Sequence, residues 1–122
     1  MKDSVEISEH YIVVKASSHK LDGSEAKHLL HLVQTEQTKQ DISYVLADLT
    51  EVHSFENNCF ESLENIQAIC SENLGLLVCF GGQEDWMDTF GERGLVLVPT
   101  KHEAIEYVFM DQLEKQFLSD EE

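Results

Sequence analysis

Proline occurs once in this sequence and glycine six times in 122 residues. That is too little of either to build a flexible or extended linker between domains. Cations are as scarce: eight lysines and arginines stand against 24 aspartates and glutamates, a formal charge of −16. Phosphate groups are gathered by clustered Lys and Arg, so this balance argues against direct contact with nucleic acid or anionic lipid, and for a partner with a basic surface. The three cysteines, Cys59, Cys70 and Cys79, are odd in number and have no C-x-x-C spacing. Neither a disulfide framework nor a zinc site is expected of them, and a reducing cytoplasm suits them best. No apolar run approaches the about 18 residues of a membrane span, so no direct membrane insertion is expected. The opening MKDSVEISEH lacks the apolar stretch of a secretory leader. The expectation is a single cytoplasmic domain over residues 1–122, with its core in about residues 5–108 and a last helix running to about 118.

What is present alternates between two periods. SVEISEHYIVVKAS gives a short alternating strand (Val5, Ile7) and then a β-branched run, Tyr11 to Ala16, suited to a more buried strand. LDGSEAKHLLHLVQTEQ follows, with Asp22 or Ser24 as N-cap and Ala26, Leu29, Leu30 and Val33 on one helical stripe. Ile42 to Leu49 predicts a third strand. ENNCFESLENIQAICSEN predicts a second helix, burying Cys59, Leu63, Ile66 and Cys70. LGLLVCFGG reads as a buried strand, EDWMDTFG as a short helix and GLVLVP as the last strand, before a helix capped by Thr100 and Glu103. Strands alternating with helices imply a largely parallel sheet with the initial β pair at an antiparallel edge. Ligands and partners meet such sheets at the carboxyl ends of the strands.

Three segments in this order resemble the STAS domain, shared by anti-sigma factor antagonists and sulfate transporters. YIVVKASSHKLDGSEAKHL is similar to that family's second strand and its turn into the first helix. VLADLTEVHSFENNCFESL is similar to V-x-L-D-L-S-x-V-x-x-I-D-S-S-G-L-x-x-L, and LGLLVCFGGQEDWMDTFGERGL to the strand and short helix that follow. The resemblance covers about Val5 to Val108. It implies an α/β fold with a mixed, mainly parallel sheet of four to five strands and helices packed mostly on one face. Asp48, Leu49, Thr50 and Val52 match D-L-S-x-V, and Phe55 and Glu56 stand where I-D usually stands. Asn57 then takes the place of the serine that partner kinases phosphorylate. Asn58 replaces the second serine and Cys59 the glycine. An amide accepts no phosphoryl group, so the added charge of about −1.5 to −2 that would disrupt a complex has no acceptor at residue 57. Asn57 then either only starts the helix or touches a partner. Thr50, Ser54 and Ser62 keep hydroxyls nearby, none at the matching position.

Other chemistries compete for the same residues. Asp48, at the end of a central strand, fits the phospho-acceptor of a receiver-like domain, but the early strands end in KASS and the last in PTK, without a receiver's acidic pair or Lys-Pro. Cys59 near a helix start has its thiolate favoured by the macrodipole. Its place on the stripe with Leu63, Ile66 and Cys70 instead predicts a small buried apolar group. His28 and His31 lie opposite the first helix's apolar stripe with no third metal ligand near them, which predicts solvated surface. His10, His19, His53 and His102 are scattered, and FGGQED lacks the spacing and lysine of a phosphate loop. No catalytic residue, metal or cofactor is expected.

Two surfaces remain. The loop and second helix present Phe55, Glu56, Asn57, Asn58, Glu61, Glu64, Asn65 and Ala68, with Glu72 beyond, an acidic face on which the resemblance implies partner binding. The last helix carries Ile105, Val108 and Phe109 to cover the sheet, and a second stripe, Tyr107, Met110, Leu113 and Phe117. That stripe either packs on its own sheet or makes a homodimer or partner contact. The resemblance implies a non-catalytic module binding an anti-sigma factor or kinase-like regulator. Its alternative is a scaffold subunit, as related domains serve in a stressosome or a lipid-transport assembly.

Overall fold

β-Branched and apolar runs become strands here because their alternate side chains reach two separate cores. The computed structural model describes residues 4–120, with side chains described for residues 5–116. In chain order the elements are β1 (Ser4–Ile7), β2 (Ile12–Lys15), β3 (Lys20–Leu21), α1 (Gly23–Lys39), β4 (Tyr44–Leu49), β5 (Ser54–Phe55), α2 (Phe60–Glu72), β6 (Leu76–Gly81), α3 (Met87–Glu92), β7 (Val96–Val98) and α4 (Lys101–Asp120). A 3-10 turn, Asn57–Cys59, leads into α2, and another, Glu84–Trp86, leads into α3.

The main sheet has the order β1-β2-β4-β6-β7. β1 runs antiparallel to β2, and every other neighbour is parallel. The parallel strands follow one another in sequence order without a reversal, so three right-handed crossovers deliver α1, α2 and α3 to the same face. On that face Ile12, Val14, Val45, Ala47, Leu77, Cys79 and Leu97 meet Ala26, Leu29, Val33, Leu63, Ile66, Cys70 and Phe90. The opposite face, Val13, Tyr44, Leu46, Val78 and Phe80, is covered by Ala104 and Val108 of α4. This is the STAS-like arrangement expected, with three helices on one side and one on the other. The sequential order departs from the 2-1-3-4-5 order of receiver-type sheets, which removes the receiver reading of Asp48.

Local signals set the boundaries. Asp22 is the N-cap of α1, its Oδ1 accepting from Glu25 N at 2.9 Å; Ser24 lies inside the helix. Leu30 is half-buried, so the α1 stripe narrows to Ala26, Leu29 and Val33. Thr100 Oγ1 accepts from Glu103 N at 3.2 Å at the start of α4. α2 ends in a tight turn where Leu74 has φ 65° and Gly75 N donates to Cys70 O at 2.7 Å. Gly75 is required there: a Cβ on it would lie 1.8 Å from the Ser43 carbonyl oxygen.

α4 corrects two expectations. Phe109 does not cover the sheet; it is exposed and meets the His10 ring edge-on at 5.4 Å. The buried phase of the helix centres on Ala104 and Val108 with Ile105 at its margin, and Phe109 lies about 100° of helical rotation past Val108. Nor does the second stripe pack back on the sheet, because Tyr107, Met110 and Leu113 are all exposed. The Phe117 side chain lies outside the described residues. No helix among the described residues is long and apolar enough to cross a membrane.

Candidate functional site

The polar segment after β4 is held by backbone hydrogen bonds to the segment before α1. His53 N donates to His19 O at 2.7 Å, and Glu56 N donates to Leu21 O at 2.9 Å. β3 and β5, two residues each, pair in parallel as Lys20 with Ser54 and Leu21 with Phe55. This small ladder sits at the carboxyl end of the sheet and fixes where the turn at Asn57 emerges. Asp48 closes the end of β4 by accepting from both Thr50 N (2.9 Å) and Thr50 Oγ1 (2.7 Å). The carboxylate is thus occupied as a turn cap.

Below the turn lies an aromatic base. The half-buried Phe55 ring stands edge-on to Phe60, Trp86 and Phe90, with centroids 5.5, 5.0 and 5.7 Å away. Edge-to-face geometry of this kind fixes ring positions beyond simple burial. Phe55 is therefore chiefly an anchor from which the neighbouring residues project. Cys59 and Phe60 point inward as well, and Cys59 N closes the turn on Glu56 O at 3.0 Å. Burial pushes the Cys59 thiol up to about 11, against the pull that a helix start would exert on a thiolate.

Glu56, Asn57, Asn58, Glu61, Asn65, Ala68 and Glu72 are exposed. Glu56 is the N-cap of the 3-10 turn and makes no side-chain cap; Asn57, the first residue of the turn, is exposed. Asn58 lies against the start of α1, where a Cβ on Gly23 would come 3.2 Å from its Cγ. Glu64 is half-buried and lies 3.8 Å from the Arg93 guanidinium, which itself covers the Phe60 ring at 4.8 Å. Lys20 pairs with the Glu56 carboxylate at 2.6 Å and Lys15 with Glu51 at 2.8 Å. The Lys15 ammonium is raised and the Glu51 carboxyl lowered by this mutual hydrogen bond. The His19 and His53 rings stack at 4.8 Å beside these pairs.

Sequence reasoning missed the β3–β5 ladder, the stacked histidines and Arg93. Two-residue strands have no readable period, and Arg93 comes from a loop whose position depends on the whole sheet. Of the nearby hydroxyls, Ser62 is buried, Thr50 is bonded to Asp48, and Ser54 is exposed. His28 and His31 are exposed on α1. Among the described residues no group of three or more His, Cys, Asp or Glu is placed to hold a metal ion.

No protein-family model matches this sequence, and no curated protein matches it. Solved structures do. A proposed anti-sigma factor antagonist from Thermotoga maritima is similar with TM-score 0.69 and 20% identity, over 87% of this chain and 93% of that one. The anti-sigma factor antagonist SpoIIAA in its unphosphorylated form is similar with TM-score 0.68 and 12% identity, over 88% of this chain and 97% of that one. The phosphorylated form of SpoIIAA, a Bacillus cell fate determinant, gives TM-score 0.66 at 12% identity, over 88% and 99% of the two chains. At these identities the likeness is one of fold: the chain has the STAS-like, SpoIIAA-like fold.

Proposed function

We propose that the chain is a non-catalytic interaction module of the anti-sigma factor antagonist type. It docks a regulatory partner, an anti-sigma factor or kinase-like regulator, on the turn and helix starting near Phe55, with no phosphorylation switch at residue 57. The observation that carries this reading is the position of Asn57: exposed, in the first turn after the sheet, on a rigid aromatic base, where the resemblance places a phospho-acceptor serine. The fold shared with SpoIIAA, a protein seen both with and without phosphate, supports it. Glu56, Asn58, Glu61, Glu64, Asn65 and Ala68 complete the surface, acidic and open at Ala68 to close approach.

The test is titration calorimetry against the kinase-like anti-sigma factors of the source organism. A one-to-one complex lost in Asn57→Lys or Glu61→Arg supports the proposal, and a complex indifferent to both removes it. With kinase and ATP the natural chain stays unmodified while Asn57→Ser takes up phosphate; stoichiometric phosphate on Ser54 of the natural chain would overturn the unswitched reading. A second reading, a scaffold subunit of a larger complex, draws on the exposed Tyr107, Met110 and Leu113 of α4. It predicts assembly lost in Met110→Glu and retained in Asn57→Lys.

A further inference from the structure

The outward face of α4 combines apolar exposure with charge of one sign. Tyr107, Met110 and Leu113 follow at i, i+3 and i+6, and are 42%, 70% and 65% exposed. Glu103, Glu106 and Glu114 are exposed on the same outward side of the helix, between and beside them. The two lysines of the described part of α4 turn away: Lys101 pairs with Glu6 at 3.0 Å, and Lys115 with Asp111 at 2.7 Å and with the Leu74 carbonyl at 2.8 Å. His102 lies 3.5 Å from Glu106. An apolar seam flanked by carboxylates that, among the described residues, face no Lys or Arg is one half of a helix pair whose other half is apolar with cationic flanks.

We infer that this face binds a basic amphipathic helix of a protein partner. A second copy of this chain fits poorly. In a two-fold antiparallel pairing centred on Met110, Glu106 faces Glu114 of the other copy, and in a parallel pairing each glutamate faces its own counterpart. Desolvating like charges opposes both arrangements. An anionic membrane surface is opposed by the same carboxylates. A helix with leucines on one face and lysines beside them covers Met110 and Leu113 while its ammonium groups meet Glu103, Glu106 and Glu114. This surface is separate from the turn at Asn57, so the inference does not rest on the proposed function.

The experiment uses the full chain and a fluorescent synthetic Leu/Lys amphipathic helix of about 18 residues, with a Leu/Glu counterpart of identical apolar face and phosphatidylglycerol vesicles as comparators. Binding of the Leu/Lys peptide alone is expected. Met110→Ser combined with Leu113→Ser, which leaves every charge in place, weakens it by about tenfold or more. Glu103→Gln, Glu106→Gln and Glu114→Gln together flatten its salt dependence. Glu61→Arg on α2 leaves it unchanged. Undiminished binding to the double serine variant would reduce the effect to attraction by an acidic surface and overturn the inference. So would equal binding of the Leu/Glu peptide, vesicle binding, or a dimer in analytical ultracentrifugation that the double variant dissolves.

Discussion

The Tyr44 hydroxyl donates a 2.8 Å hydrogen bond to Asp111 Oδ2, joining the first residue of β4 to the far half of α4. Lys115 completes the contact, pairing with the same carboxylate at 2.7 Å and lying over the Tyr44 ring at 5.4 Å. Tyr44→Phe keeps the ring and leaves Asp111 its lysine, so it is expected to destabilise by about 1–2 kcal/mol, read as a fall in Tm of roughly 3–8 °C. Burial, and then the bond to Asp111, holds the phenol protonated well above its ordinary range. The folded chain therefore retains a proton that the unfolded chain releases near pH ~10. This contribution is present below pH ~10 and is lost as pH rises further. Alkaline unfolding curves of the natural chain and Tyr44→Phe should converge above that pH; parallel curves would contradict the assignment.

Leu74 is strained. It has φ 65° and projects into solvent, so its side chain gains little from burial while its Cβ opposes the left-handed backbone. Leu74→Gly is expected to stabilise the chain by about 0.5–1 kcal/mol, since glycine is the usual residue at this point of a helix terminus. Chemical denaturation would show a raised midpoint at unchanged slope.

Burial pushes the thiols of Cys70 and Cys79 up to about 12, and that of Cys59 to about 11. All three are free and buried. A disulfide reagent at neutral pH should meet no reactive thiolate in the native chain and three in denaturant. Rapid native labelling of Cys59 would revive a redox role for it.

Asp22→Ala removes the acceptor for Glu25 N and should cost about 1 kcal/mol. Its placement between the β3–β5 ladder and α1 makes the effect local. Hydrogen exchange should quicken most in the first turn of α1, and a uniform change along α1 would argue against a cap.

The strands and helices with buried faces were readable because each carries its period in three or more residues. Ile12 to Val14, Leu77 to Phe80 and the Cys59, Leu63, Ile66, Cys70 series announce themselves without help from the rest of the chain. The burial of Cys59 also followed from its spacing with Leu63, Ile66 and Cys70, and the exposure of Asn57 from its place on the opposite face. α4 was less legible. Val108 was read correctly, but the other core residue, Ala104, is too small to stand out in a hydropathy pattern, whereas Phe109 stands out and is exposed. The partners that shape the candidate site escaped for another reason. Lys20 with Glu56, Arg93 with Glu64 and Phe60, and His19 with His53 are meetings between loops brought together only by the register of the sheet, and no local propensity encodes them.

The sequential strand order leaves Val13, Leu46, Val78 and Phe80 beneath a single helix. Among the described residues no neighbouring helix shares that duty, so the binding face proposed for α4 and its folding duty lie on the same four or five turns. Whatever grips its outer side clamps the sheet as well, so occupancy there and thermal resistance must rise together, in proportion to the logarithm of the partner's concentration.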